Sequence, residues 1–240
     1  MVIETVHVIG ATGRVGSAVS VRLRERGARL DASDPDLVLL CVPDRVIAEV
    51  AAEIAVGTWV AHVSGATPLS ALDLHERRFS LHPLLSITKE RGPEQLDGGW
   101  AALTAETDEA RATGRELAAL LGLRPFDLTD EKRALYHAAA AIASNYLVTL
   151  REIAGSLVEA AGAPAEALDP LMQSVIENGF ELTGPIARGD WETVERHLAA
   201  IREARPELEE LYLALAAQTA RIAGRALPSD KLSLGVGGGT

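Results

Sequence analysis

Gly10, Gly13 and Gly16 are evenly spaced, directly after the run Val6-His7-Val8-Ile9 and directly before residues 17–26, where Val19 and Leu23 keep helical spacing. Glycine lets a backbone close on a phosphate, and a helix N-terminus adds free N–H groups and the positive end of its dipole. Gly10, Thr12, Gly13, Arg14 and Val15 are therefore candidates to hold the pyrophosphate of NAD or NADP. The glycine spacing is one residue longer than the commonest dinucleotide fingerprint. A tight turn that merely packs helix on strand is the competing reading, and a mononucleotide or phosphorylated metabolite would use the same donors.

A second group lies in the alanine-rich stretch 136–145. On one continuous helix His137 and Ser144 fall about 20° apart, with Asn145 within about 80° of His137. Polar side chains among alanines leave room for a ligand and need partners. His137 is thus a candidate proton donor, and Ser144 and Asn145 are candidate contacts to a reacting group. Polar contacts between domains are the alternative. His82-Pro83 follows the strand-like residues 79–81 and adds a second imidazole, or a structural histidine before a proline-fixed turn. Val42-Pro43-Asp44 and Ser64-Gly65 each follow an apolar run, where open α/β sheets bind ligands, or where ordinary turns occur. Arg188, in the break 183–189, suits an anionic substrate, or faces water. Lys132 reads as a solvated residue near a helix start. His62, His75 and His197 are isolated, so no metal site is expected.

The elements that must position these groups follow from the pattern. Apolar runs at 37–42 and 59–63, with strand-like segments at 6–9, 100–104 and 125–128, alternate with helices at 45–55 and 108–121. From about Asp130 onward there is no strand signal: one long helix is expected over 131–161, another from Asp169-Pro170 to about Leu182, one capped by Asp190, and one after Pro206. The expected fold class is an α/β Rossmann-like parallel sheet over residues 1–129, then an all-α domain over 130–234 and a disordered tail over 235–240. Asp31 stands about 20 residues after Gly10, the spacing of a ribose-holding acid. Only four residues separate it from the next strand, whereas a parallel crossover needs a dozen or more. The sheet is therefore expected to be trimmed, with an open adenosine end.

The 240 residues are 48% hydrophobic, ample for a core, and the net charge of −11 argues against nucleic acid as a partner. The single cysteine, Cys41, allows no internal disulfide and fits a reducing cytoplasm. The first residues lack the basic and apolar regions of a secretory signal. The most apolar later stretch, 136–150, is interrupted by His137, Ser144 and Asn145, so no membrane span is expected.

Val42-Pro43-Asp44, His62-Val63-Ser64-Gly65-Ala66, Ser80-Leu81-His82-Pro83-Leu84, Tyr136-His137-Ala138-Ala139-Ala140 with Ala143-Ser144-Asn145, and 182–190 carry a resemblance over nearly the whole chain. The chain resembles Rossmann-like proteins with a C-terminal domain of the DUF2520 type, relatives of pyrroline-5-carboxylate reductase, prephenate dehydrogenase and the 6-phosphogluconate dehydrogenase-like group. The resemblance implies an NAD(P)-dependent oxidoreductase acting on a small anionic oxo or imino acid. Some members are taken to act as ketopantoate reductases of a non-standard type. It further implies Tyr136 as a substrate contact, Ser64 and Gly65 beside the nicotinamide ribose, and a homodimer formed through the helical domain. Some relatives carry a catalytic Lys–Asn pair one helical turn apart. Lys132 and Asn145 lie more than three turns apart, so that pair is not carried over. A non-catalytic ligand-binding or regulatory protein that kept the fold with a degraded cofactor site is the alternative.

Overall fold

The computed structural model describes residues 3–30, 32–226 and 228. Asp31 and the tail 235–240 lie outside the described residues. The chain divides into two compact units, Met1–Ser144 and Asn145–Thr240. The first takes in a helix that the sequence pattern assigns to the helical half.

Six strands form the sheet of the first unit: β1 (Val6–Ile9), β2 (Leu37–Leu40), β3 (Trp59–His62), β4 (Arg78–Pro83), β5 (Trp100–Thr104) and β6 (Arg124–Asp127). They lie side by side in chain order. β1 to β4 are parallel, as the buried apolar runs of β2 and β3 require. β5 runs antiparallel to β4, a departure from the expected parallel sheet. Residues 84–99, between them, hold only a 3-10 turn at Pro93–Leu96, with no α-helix to carry the chain back to the starting edge. Helices α1 (Arg14–Glu25) and α3 (Asp108–Leu121) cover one face, burying Val19, Leu23 and Leu117 against Val6, Leu37, Leu39 and Phe79. α2 (Ile47–Ala52) covers part of the other, over Val38, Leu40 and Val60.

The trimming falls where the short segment after α1 demands it. The ordinary second strand survives as one bridge, Thr5 to Arg29, closed by Val6 N–H to Arg29 O and Arg29 N–H to Glu4 O, both 2.9 Å. The chain then returns at once to β2, and Asp36 pins it. One carboxylate oxygen of Asp36 accepts from Glu4 N–H, Thr5 N–H and the Thr5 hydroxyl at 2.8–3.0 Å. On the face away from α1, no helix of the described residues lies over β1, and a cavity of about 610 Å³ there is lined in part by His7, Ile9, Val38, Val50 and Ile54.

The first unit closes with α4 (Asp130–Ala143). The expected continuous helix over 131–161 is instead two, α4 and α5 (Asn145–Ala160), interrupted at Ser144. The Ser144 hydroxyl donates back to Ala140 O at 2.7 Å, the local competition with helical hydrogen bonding that serine offers. The second unit continues with α6 (Asp169–Glu177), α7 (Pro185–Arg188), α8 (Trp191–Ala204) and α9 (Glu209–Ile222). α7 lies within the expected break at 183–189. Asp190 caps α8 as expected, accepting from Thr193 N–H. Ile186, Val194, Leu198, Leu213 and Ala216 form this unit's core. Among the described residues no strand follows β6 and no helix is long and apolar enough to cross a membrane.

Asp36→Ala removes three accepted hydrogen bonds from the edge of the sheet. The expected loss is about 2 kcal/mol, read as a lowered urea midpoint at unchanged slope.

Candidate functional site

β1 to β4 point their carboxyl ends to one edge, and the candidate groups of the first unit meet there. Gly10, at φ 88°, turns the chain out of β1, and a Cβ on it would lie 2.4 Å from Cys41 O. A Cβ on Gly16 would lie 2.1 Å from Gly10 O, so the helix rests directly on the turn. Gly13 precedes α1 with an ordinary φ of −71°, and a Cβ on it would sit 3.3 Å from Gly10 O, in a cradle it would partly fill. Thr12 and Arg14 are exposed, Val15 is half-buried, and no acidic residue occupies the first turn of α1. The turn therefore fits a phosphate. Pro43 and Asp44 lie exposed just past the end of β2, with Val42 half-buried before them. Burial pushes the Cys41 thiol up to about 12, which leaves it inert beside the turn.

Beyond β3 the Ser64 hydroxyl is committed to its own loop, accepting from Ala66 N–H and Thr67 N–H. Gly65 faces the cluster instead. A Cβ on it would lie 2.8 Å from the His82 ring and 2.9 Å from the His137 ring, so only glycine lets both imidazoles reach this edge. His82 Nδ1 lies 2.6 Å from the Tyr136 hydroxyl, and the His82 and His137 rings meet edge to face at 6.4 Å. Phe126 and Trp100 extend the aromatic chain behind Tyr136. Burial, with His137 and Arg133 nearby, holds His82 down to about 4, so its imidazole is neutral at neutral pH. Burial pushes the Tyr136 phenol up to about 12. A protonated phenol beside a neutral imidazole supports donation from Tyr136 to Nδ1, which leaves the proton of His82 on Nε2.

Arg133 escaped the sequence reading. It is 2% exposed, and its guanidinium donates to Asp130, Ser64 O, the Ser80 hydroxyl and the Thr104 hydroxyl at 2.8–3.2 Å. One contact fixes the loop before Gly65, and another fixes the strand two residues before His82. The one available signal was position: Arg133 lies one turn before Tyr136 and His137 on α4.

The structure does not carry His137, Ser144 and Asn145 on one helix. His137 is exposed on α4, Ser144 is exposed at the interruption, and Asn145 opens α5 in the second unit. Arg188 ends α7 there, exposed, donating to Thr183 O. Lys132 is exposed. The isolated histidines have structural surroundings. His62 is fully buried and accepts from Ser64 N–H, His75 Nε2 lies 2.9 Å from Ala51 O, and His197 pairs with the Tyr212 hydroxyl. Among the described residues no group of three or more His, Cys, Asp or Glu is placed to hold a metal ion.

Burial holds both His62 and His82 to about 4, against an ordinary value of 6.5. The folded chain therefore binds fewer protons than the unfolded chain between these values. Their contribution to stability is complete above about pH 6.5 and is lost as the pH falls toward about 4. His82→Gln should make that loss shallower, measured as urea midpoints at pH 7 and pH 5. An unchanged loss would contradict a buried neutral His82.

No curated protein sequence matches the chain. Several solved structures share its fold. A Thermotoga maritima protein is 23% identical, with 91% of this chain and 97% of that chain covered and a TM-score of 0.74. A Bacteroides fragilis protein provisionally described as an NADP oxidoreductase is 19% identical, covering 91% and 98%, at 0.73. The 1-pyrroline-5-carboxylate reductase of Streptococcus pyogenes is 16% identical, covering 91% and 97%, at 0.58. At these identities the likeness is one of fold. Residues 100–219 match the family described as "Domain of unknown function (DUF2520)", half of the sequence, and the chain belongs to that family.

Proposed function

We propose that the chain is an NAD(P)H-dependent oxidoreductase acting on a small anionic oxo or imino acid, of which ketopantoate is the first to test. One observation carries the reading: a neutral imidazole, His82, is bonded to Tyr136 and packed on Gly65 at the sheet edge that also bears the glycine turn. The names of the Bacteroides fragilis and Streptococcus pyogenes proteins support the same class of reaction.

A bound nicotinamide would supply the hydride. The backbone of Gly10 to Val15 would hold the phosphates, with Arg14 adding charge from the first turn of α1. Gly65 brings both imidazoles against the edge. The Nε2–H of His82 offers a fixed neutral donor to the oxygen or nitrogen on which negative charge grows. His137 is exposed on α4 with its ring against that of His82, which suits it to deliver the proton that completes reduction.

We also propose that a second copy covers the second unit. Val148, 63% exposed, lines a groove with Leu147, Met172 and Ile176, rimmed by Arg151 and Asp169, and Leu171 and Phe180 of the same unit are exposed as well. Apolar side chains gathered in this way mark an interaction surface. Sedimentation at micromolar concentration should give a dimer, and Val148→Glu should give a monomer. A monomeric wild type would reject the pairing.

The cofactor reading is tested by calorimetric titration of NADPH and NADH into the wild type and Gly13→Asp. Aspartate suits a position that precedes a helix and its charge repels phosphate, and the melting temperature of the variant, read alongside, separates that repulsion from any strain of the added side chain against Gly10 O. Micromolar binding that weakens at least about fiftyfold in the variant is the expected result. Failure of the wild type to bind either dinucleotide would overturn the reading and favour a non-catalytic ligand-binding or regulatory protein.

A further inference from the structure

We infer that this chain recognises its cofactor through the phosphate and nicotinamide half alone and does not read the adenosine half, so that it discriminates neither NADH from NADPH nor either from reduced nicotinamide mononucleotide. The inference rests on the cofactor reading above and concerns where recognition stops.

In a full dinucleotide-binding sheet the second strand runs beside β1 to the carboxyl edge, and an acidic or basic group at its end meets the adenosine ribose. On the side of β1 away from β2, the pairing in this chain is the single bridge at Thr5. Thr5 precedes Gly10 by five residues, which in a strand is about 16 Å. The segment after Arg29 is held at the same low level at both ends. Arg29 bonds Glu4 and Val6, and Asp36 bonds Glu4 and Thr5. The seven peptide steps from Arg29 to Asp36 must go out and come back, so their backbone can climb at most about 12 Å. The segment ends several ångströms short of the level of Gly10 whatever path it takes.

The features on the phosphate side are intact. Gly13 keeps its cradle, Arg14 is exposed at the start of α1, and the first turn carries no acid to repel an anion. The shortened segment lacks the element that selects at the ribose 2′ position, and the turn that remains can hold the phosphate next to the nicotinamide ribose, the one group of that kind common to all three ligands. The loop after β2 keeps Pro43, Asp44 and Arg45 exposed.

The test is calorimetric titration of the full-length protein with NADH, NADPH and reduced nicotinamide mononucleotide, with adenosine 2′,5′-bisphosphate as a fourth ligand. The two dinucleotides should bind within about threefold of each other, the mononucleotide within about fivefold of NADH, and the bisphosphate should give no heat. Arg14→Ala, a change at an exposed side chain, should weaken the three nicotinamide ligands by a common factor. A tenfold preference between the dinucleotides, or a tenfold loss with the mononucleotide, is about 1.4 kcal/mol from the adenosine half and would overturn the inference while leaving the cofactor reading intact. Absence of binding by all three nicotinamide ligands would remove the cofactor reading, and this inference with it.

Discussion

The arrangement at the sheet edge depends on one buried cation. Arg133 has lost nearly all contact with water, and a guanidinium in that position is tolerable only when its donors are met. Its partners come from four places: the Asp130 carboxylate one turn earlier on α4, the Ser64 carbonyl after β3, the Ser80 hydroxyl on β4 and the Thr104 hydroxyl at the end of β5. Asp130 also accepts from Leu69 N–H, so the carboxylate that balances the charge ties in the loop beyond Gly65 as well. The planar fork fixes these elements in angle as well as distance, which a lysine could not reproduce. α4 is held to the sheet at Arg133, the single buried residue of that helix.

The electrostatics of the neighbouring imidazoles follow. A fixed positive charge in a dry region disfavours a second one, so Arg133 adds to the burial that keeps His62 and His82 uncharged. A neutral His82 can accept from Tyr136 at Nδ1, which an imidazolium could not do. The buried arginine, the absent side chain at Gly65 and the phenol of Tyr136 thus form one device. The cation fixes the loop, the glycine admits the ring, and the phenol sets the tautomer.

Much of this fold was legible in the sequence because it rests on local rules. The strand, glycine turn and helix at 6–26 follow from residue type and order, and the trimmed sheet follows from the few residues available after Gly27. The cap at Asp190 is equally local. What was not legible depends on partners remote in the chain. Arginine on a helix reads as solvated, and nothing near Arg133 in the sequence reveals the oxygens of Ser64, Ser80 and Thr104. His82 could be nominated, but its bond to Tyr136 spans 54 residues. The reversed direction of β5 leaves no mark on a short apolar run, whose pattern is the same read either way. The interruption at Ser144 follows a run of helix-forming alanines, and periodicity does not register it.

The trimmed strands are far from the polar cluster, and that distance explains how the fold bears their loss. β1 is left with a free edge after its single bridge, and Asp36 secures the end of that edge with bonds that need no second strand. On the α2 side β1 has no helix of its own above it, but its other face keeps its core, since Val6, Val8, Leu37 and Leu39 remain packed under α1 and α3. Every contact of Arg133, and every contact of His82 with Tyr136, His137 and Gly65, lies from β3 onward. The phosphate turn depends only on β1, α1 and the end of β2. Neither part borrows a residue from the missing strand, helix and strand, so their removal can change what is recognised without disturbing the groups placed to react.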